Sequence, residues 1–364
     1  MKYKALVLVL FGLTASSLFS QVYERSRQET RTFKVYDQTS FELYNKYGNI
    51  HLFTWKQDSV KIEVSLKVKS SKESKADKIF EFIDFEFSNS TYYIIARTEY
   101  RQDQGAFWSE LSDLASTVFS GGTQTQIDYK VYLPQNIPVK IENKFGNIYC
   151  TDHSSKFDIN LSNGDFKANR LSGDVTLDLS FGNADIGSIK QGKIELGYEE
   201  LYIGEAGLLN LASKSSEIRI EKIDELSLQS RRDKLFLEEV NTVKGESSFS
   251  YITMKLFSKS FIVKADYGEI KFKEIDPMFT LIDITSKYTD IDFKVAKDFS
   301  SAVSISCTEQ TGMYYPDSFK GIMSNTDKET KQVSLTGTIG GQSAGNRKIT
   351  VTIQSGKITF EKAD

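Results

Sequence analysis

Polar and apolar positions alternate along most of the chain, and turns break the alternation at even intervals. Phe157, Ile159 and Leu161 alternate with Asp158 and Asn160; Val175, Leu177 and Leu179 alternate with Thr176 and Asp178; Ile291, Phe293 and Val295 alternate with Asp292 and Lys294. A period of two puts the apolar side chains on one face, the mark of a strand buried on one side. β-Branched and aromatic residues are common in these runs, as strands prefer. The same pattern predicts strands over 33–69, where Val60, Ile62, Val64, Leu66 and Val68 alternate with lysine, glutamate and serine. It predicts a hairpin over Phe82–Glu99 around Ser88-Asn89-Ser90, and a strand over Ile127–Leu133 ended by Pro134. Closing strands follow at Ile349–Ile353 and Ile358–Phe360.

The turns themselves repeat. Phe145-Gly146-Asn147-Ile148, Asn163-Gly164-Asp165-Phe166 and Phe181-Gly182-Asn183-Ala184 share one layout: often an aromatic, then a turn residue, a polar residue and an apolar anchor. Tyr198-Glu199-Glu200-Leu201, Ser215-Ser216-Glu217-Ile218 and Arg232-Asp233-Lys234-Leu235 continue it. Tyr251-Ile252-Thr253-Met254, Tyr267-Gly268-Glu269-Ile270 and Tyr288-Thr289-Asp290-Ile291 complete it. The anchors recur about every 18 residues, with a weaker turn signal half a period later, as in Ser172-Gly173-Asp174-Val175. Two units of strand plus turn therefore make one lap. Such a lap cannot bury its apolar face alone, but laps stacked along an axis share a continuous core.

These patterns predict an all-β protein whose residues 140–307 form a single-stranded, β-helix-like β-solenoid of about 18 residues per turn. An antiparallel sandwich of short strands is the alternative. Residues 21–139 are expected to be an N-terminal β cap, with a further copy of the turn at Tyr47-Gly48-Asn49-Ile50. Within it, Phe107, Trp108, Leu111, Leu114, Ala115, Val118 and Phe119 recur at helical spacing and predict a short amphipathic helix near 105–120. Residues 308–364 read as a turn-rich excursion followed by closing strands.

The first twenty residues have the layout of a secretory signal peptide: Lys2 and Lys4, an apolar run from Ala5 to Leu13, then small residues to Ser20. Cleavage fits after Ser17 or, preferably, after Ser20. The apolar run is too short to cross a bilayer, and no transmembrane segment is expected in the mature chain. Cys150 and Cys307 both alternate in phase with inward apolar residues and lie 157 residues apart. Eight to nine laps at ~4.8 Å separate them by far more than a disulfide spans, so two buried free thiols are expected.

Composition narrows the chemistry. The 364 residues carry 46 Lys and Arg against 49 Asp and Glu, a net charge of -3 that argues against nucleic acid as a partner. Two histidines in the chain leave little for His-based catalysis or a His-rich metal site. No calcium loop and no Gly-x-Ser-x-Gly elbow is present, so no catalytic, metal or cofactor residue is assigned and no cofactor is expected. The aromatics before the turns should stack in a column in a solenoid. Either they only stabilise the corner, or they form a platform for sugar rings. The speculative ligand-stacking residues are Tyr251, Tyr267 and Tyr288. A carbohydrate-active β-helix enzyme would need clustered carboxylates, for which Asp283, Asp290 and Asp292 with Lys287 are the nearest set.

Asn45-Lys46-Tyr47-Gly48-Asn49-Ile50 through Trp55, Tyr129-Lys130-Val131-Tyr132-Leu133-Pro134, and Val139 through Ile148 with the Gly-Asp/Asn turns after them together resemble a family. It is the adhesin-like domain family of unknown function, exported proteins common in Bacteroidetes-type bacteria. The resemblance covers roughly residues 40–300. It implies a β-solenoid and a binding role in the periplasm or at the cell surface of a Gram-negative bacterium, with no catalytic residues. The leading expectation is a non-enzymatic, exported, adhesin-like solenoid that binds a glycan or an envelope protein, or scaffolds. The alternatives are a polysaccharide lyase or hydrolase and a purely structural envelope protein.

Overall fold

The structure, a computed structural model, describes residues 22–101, 123–296, 299–317, 319–327, 331–340 and 344–362. The expected signal peptide and the helix expected near 105–120 lie outside the described residues. The chain is a β-solenoid. Its middle is parallel throughout: Phe157–Ser162 pairs with Val139–Asn143 on one side and with the start of the next lap, Val175 to Ser180, on the other. From there the register advances by 17 residues per lap, as in Glu200↔Glu217, Glu217↔Lys234 and Lys234↔Tyr251. It then widens to 21 at Ile270↔Ile291. Antiparallel pairing is confined to the two ends, so the sandwich alternative falls.

Two strand segments per lap face inward with alternate residues. Stacking places equivalent residues above one another, so the core is a set of columns. Leu211 lies over Leu228, and Val263 over Ile284 and then Val351. Rings stack too: Phe272, Phe293 and Phe360 follow one another at centroid separations of 5.1 and 4.7 Å. All of these side chains are buried. Each lap alone would leave that apolar edge in water, so pairing and burial arise together.

The ends depart from simple chain order. Ile50 pairs with Ile148, 98 residues on, so the early Tyr-Gly-Asn-Ile turn begins a lap of the same stack. Between Trp55 and Val139 the chain adds residues 56–101 and 123–138 outside that lap. Among them, Tyr93–Tyr100 and Thr123–Pro134 lie on its outer side. The antiparallel strands Ile83–Asn89, Ser59–Ser70 and Tyr23–Lys34 then cover this end. Helix Glu73–Phe82 packs there through Ala76 and Ile79, tied by Arg25 to Asp77 at 2.6 Å and Glu73 at 2.9 Å. The far end mirrors this. The last strands of the chain, Lys348–Gln354 and Lys357–Lys362, slot between Leu281–Val295 and the strands Ser301–Thr308 and Gly312–Tyr314. Antiparallel strands Gln332–Ile339 and Phe319–Asp327 close it. Both ends of a parallel stack carry unpaired edges, and antiparallel covers are one way to blunt them.

Cys150 and Cys307 are both buried and free, as their phase predicts. Burial pushes the Cys150 thiol up to about 12, which leaves it unreactive at neutral pH.

Candidate functional site

One corner of the solenoid concentrates the unusual chemistry. At every lap the residue before the turn position adopts a left-handed backbone or precedes a glycine that does. Asn163, Phe181, Tyr198, Ser215, Arg232, Phe249, Tyr267, Tyr288 and Ser355 have φ between 51° and 65°. Bulky aromatics rarely sit there. The hydrogen bonds of the corner explain why they do here. In the early laps the next residue is glycine: a Cβ on Gly146 (φ 131°) would stand 2.1 Å from the Gly48 carbonyl oxygen, and one on Gly164 2.2 Å from that of Gly146. The backbones approach too closely for any side chain. Asparagine or aspartate follows, and each reaches one lap on. Asn147 N–H donates to Asn49 Oδ1 (2.9 Å), Asp165 N–H to Asn147 Oδ1 (2.8 Å) and Asn183 N–H to Asp165 Oδ1 (3.1 Å).

Beyond Gly182 the polarity of this ladder reverses. The turn position now carries Glu199, Ser216, Asp233 and Ser250, and each accepts from the preceding lap. Gly182 N–H donates to Glu199 Oε2 (2.9 Å), Glu199 N–H to Ser216 Oγ (3.2 Å), Ser216 N–H to Asp233 Oδ1 (2.8 Å) and Asp233 N–H to Ser250 Oγ (3.1 Å). Asp233 is 1% exposed and also accepts from Ser213 Oγ, Ser230 Oγ and the Arg231 N–H at 2.6 to 2.9 Å. Glu199 is buried with no cation beside it. Burial, with Asp165 nearby, raises its pKa to about 7 against the opposing hydrogen bond from Gly182.

The side chains in front of these turns form an interrupted aromatic column. Tyr47 stacks on Phe145 at 5.5 Å and Phe181 on Tyr198 at 5.2 Å. Phe249 stacks on Tyr267 at 4.9 Å and Tyr267 on Tyr288 at 5.0 Å, each with interplanar angles of 13° or less. From Phe181 onward these rings are about half exposed. Of the three tyrosines singled out from sequence, Tyr267 and Tyr288 are adjacent rungs. Tyr251 stands in the neighbouring column, in register with Lys234, and the rung below Tyr267 is Phe249. The apolar anchor of that lap is accordingly Ile252, paired with Leu235, rather than Met254. The laps are more even than the sequence spacing suggests. Stacking also limits what the column offers. Both faces of Tyr267 are covered by its neighbours, so only ring edges, hydroxyls and the end faces of each run are open.

A groove of about 780 Å³ runs beside the column, lined across six laps from Asp178 and Ser180 to Lys264 and Asp266. Five lap steps of ~4.8 Å make it about 24 Å long. Elsewhere the suspected carboxylate set does not assemble. Asp283 lies on the strand before the Tyr288-Thr289 corner, and Asp290 and Asp292 lie after it, opposite Glu269 and Lys271. Lys271 is held by Glu269 at 2.6 Å. Among the described residues, no group of three or more His, Cys, Asp or Glu is placed to hold a metal ion. His153 is buried against Phe157, and burial lowers its pKa to about 4. Among the described residues no helix is long and apolar enough to cross a membrane.

The fold and corner define a capped β-solenoid with a polar inner ladder and an exposed aromatic outer one. No family model matches the chain, and no curated protein does. It is similar to a solved structure of a provisionally designated adhesin from Parabacteroides distasonis, with 10% identity, 93% of this chain and 97% of the other covered, and a TM-score of 0.31. It is similar to a provisionally designated cell adhesion protein from Clostridium sporogenes, with 9% identity, 93% and 100% coverage and a TM-score of 0.22. A provisionally designated lipid binding protein from Parabacteroides distasonis matches with 14% identity, 74% and 92% coverage and a TM-score of 0.28. Two of these names agree with the resemblance drawn from the turn motifs. At such identities and TM-scores they say nothing of function.

Proposed function

We propose that the chain is an exported, non-catalytic binding and scaffolding protein of the bacterial cell envelope, and that it engages an extended glycan along the exposed corner column. One observation carries this reading. Five aromatic rings at Phe181, Tyr198, Phe249, Tyr267 and Tyr288 stand half in water along one edge of a rigid rod, in a left-handed backbone that exposes them. A purely structural ladder gains more from burying its rings than from presenting them. Rings exposed in two stacked runs along one edge instead offer edges, phenolic hydroxyls and end faces to a long repetitive partner. Export rests on Lys2, Lys4 and the apolar run that follows. The dispersal of Asp283, Asp290 and Asp292 removes the support for the enzyme alternative.

The test is a glycan array probed with the mature chain and with an F249A/Y267A/Y288A variant of unchanged melting temperature. Binding by the first and its loss in the second is expected. Equal binding by both would overturn the role of the column. Release of shortened products from a bound polysaccharide would replace the binding reading with a catalytic one.

A further inference from the structure

The aromatic column has a gap of two laps, and the groove changes character at the same two laps. Between Tyr198 and Phe249 the corner residues are Ser215 and Arg232, so the two rings face each other across three lap steps, about 14 Å. Among the described residues neither inner face meets another ring: Tyr198 stacks on Phe181, and Phe249 on Tyr267. The Lys214 ammonium stands 6.0 Å from the Tyr198 centroid. Along the groove, the flanking laps carry Asp178 and Glu195 on one side, and Glu246 with Lys264 and Asp266 on the other. The two middle laps carry Ala212 with Lys214, and Gln229 with Arg231. Residues 212–217 and 229–234 together hold Lys214, Arg231, Arg232 and Lys234 against Glu217 and Asp233, a net charge of +2 in a chain of net charge -3.

The cations of this gap are free to bind. Fifteen ion pairs are formed among the described residues, and none involves Lys214, Arg231, Arg232 or Lys234. Asp233, the carboxylate nearest in sequence, is sealed beneath the corner by two serine hydroxyls and two backbone N–H groups. The Arg231 and Arg232 side chains are exposed on a backbone that this buried carboxylate fixes. The open face of Phe249, the Tyr198 ring with the Lys214 ammonium over it, a line of cations outside any ion pair and a groove about 24 Å long suit a chain that is flat-sided, extended and negatively charged.

We propose that the groove between Tyr198 and Phe249 binds a linear anionic polysaccharide, with its acidic groups on Lys214, Arg231 and Arg232 and a sugar ring against the open end face of Phe249. This rests on the binding reading above and names its ligand class and site. A guanidinium fork donates paired hydrogen bonds to carboxylate or sulfate oxygens, and cations outside any ion pair impose no cost of breaking one.

Affinity electrophoresis of the mature chain in gels containing polygalacturonate, dextran sulfate or neutral dextran tests it. Retardation by one or both polyanions, and not by dextran, is expected. The K214Q/R231Q/R232Q variant should lose at least tenfold in affinity, and the loss should shrink as salt is raised. A K56Q/K72Q/K75Q variant loses the same charge at the N-terminal capped end and should bind as the parent does. Melting temperatures establish that both variants fold. Equal losses in the two variants would make the attraction one of bulk charge and overturn the site. Retention by neutral dextran alone would overturn this ligand class and leave the general binding reading standing; retention by no polysaccharide would overturn both. Binding to vesicles of phosphatidylglycerol, without binding to either polyanion, would replace the glycan with a lipid surface.

Discussion

Replacing Glu199 with glutamine should make the protein more stable at alkaline pH and leave it nearly unchanged in mild acid. Glu199 is 3% exposed, accepts one hydrogen bond from Gly182 and has no cation beside it. Its pKa rises from 4.5 to about 7 on folding. The folded state therefore holds its proton more tightly than the unfolded chain. That stability is fully present below pH 4.5 and is lost as the pH rises through 7. A shift of this size corresponds to about 3 kcal/mol once the pH exceeds 7, and less than ~1 kcal/mol of it has gone by pH 5. Glutamine keeps a carbonyl oxygen for the Gly182 N–H and never ionises. Urea unfolding of both proteins at pH 5 and pH 8 measures the effect, because all other titrating groups are shared and cancel in the difference. The variant should gain roughly 2–3 kcal/mol on the parent between the two pH values. A parallel pH response in the two proteins would refute the buried, unpaired carboxyl and with it the reversed ladder beyond Gly182.

Four further outcomes are expected. Gly164→Ala should cost about 2–3 kcal/mol by urea unfolding, since its Cβ would stand 2.2 Å from the Gly146 oxygen, whereas Gly197→Ala, whose nearest neighbour is 3.8 Å away, should cost under ~0.5 kcal/mol. Asp233→Ala strands two hydroxyls and two backbone N–H groups and should cost about 3 kcal/mol or more, read as a lower melting temperature. His153 stays neutral in the fold with a pKa near 4, so the stability it permits above pH 6.5 is lost as the pH falls toward 4; His153→Leu should flatten that acid limb in urea titrations at pH 4 to 7. Both cysteines should resist thiol reagents until the chain is unfolded, and the unreduced mass should show no bridge.

Much of this was legible in the chain because the repeat is short and its two signals agree. Alternation located the inward faces, and Gly-Asn or Gly-Asp located the corners wherever glycine was present. Where glycine gives way to Glu199, Ser216, Asp233 and Ser250, the turn motif fades, although the corner persists with a different hydrogen-bond donor scheme. That change is why the sequence pattern points to Tyr251 as a rung. Phe249-Ser250 has no glycine to mark it, and Tyr251 supplied an aromatic two residues later. The helix Glu73–Phe82 has only a weak signature in the sequence. Ala76, Ile79, Phe80 and Ile83 follow helical spacing, but the stretch lies between runs of strong strand alternation. The gap between Tyr198 and Phe249 was visible as Arg231-Arg232, which reads as a solvated pair until the neighbouring laps are laid beside it.

Local pattern alone determined that this chain makes short half-buried strands, that they recur every 17 to 18 residues through the middle, and that neither cysteine has a partner. These follow from the pleat, which sends alternate side chains to opposite faces, and from the even length of the laps. Only the tertiary structure decided which segments lie next to one another at the ends. Ile50 rests on Ile148 across 98 residues, and the strands Lys348–Gln354 and Lys357–Lys362 are sandwiched one lap inside the end. Adjacency across a long excursion depends on burying two edges at once, and no property of a single segment encodes it. The same holds for the open face of Phe249 and for the cations between it and Tyr198, because a side chain's freedom is set by the lap above and the lap below.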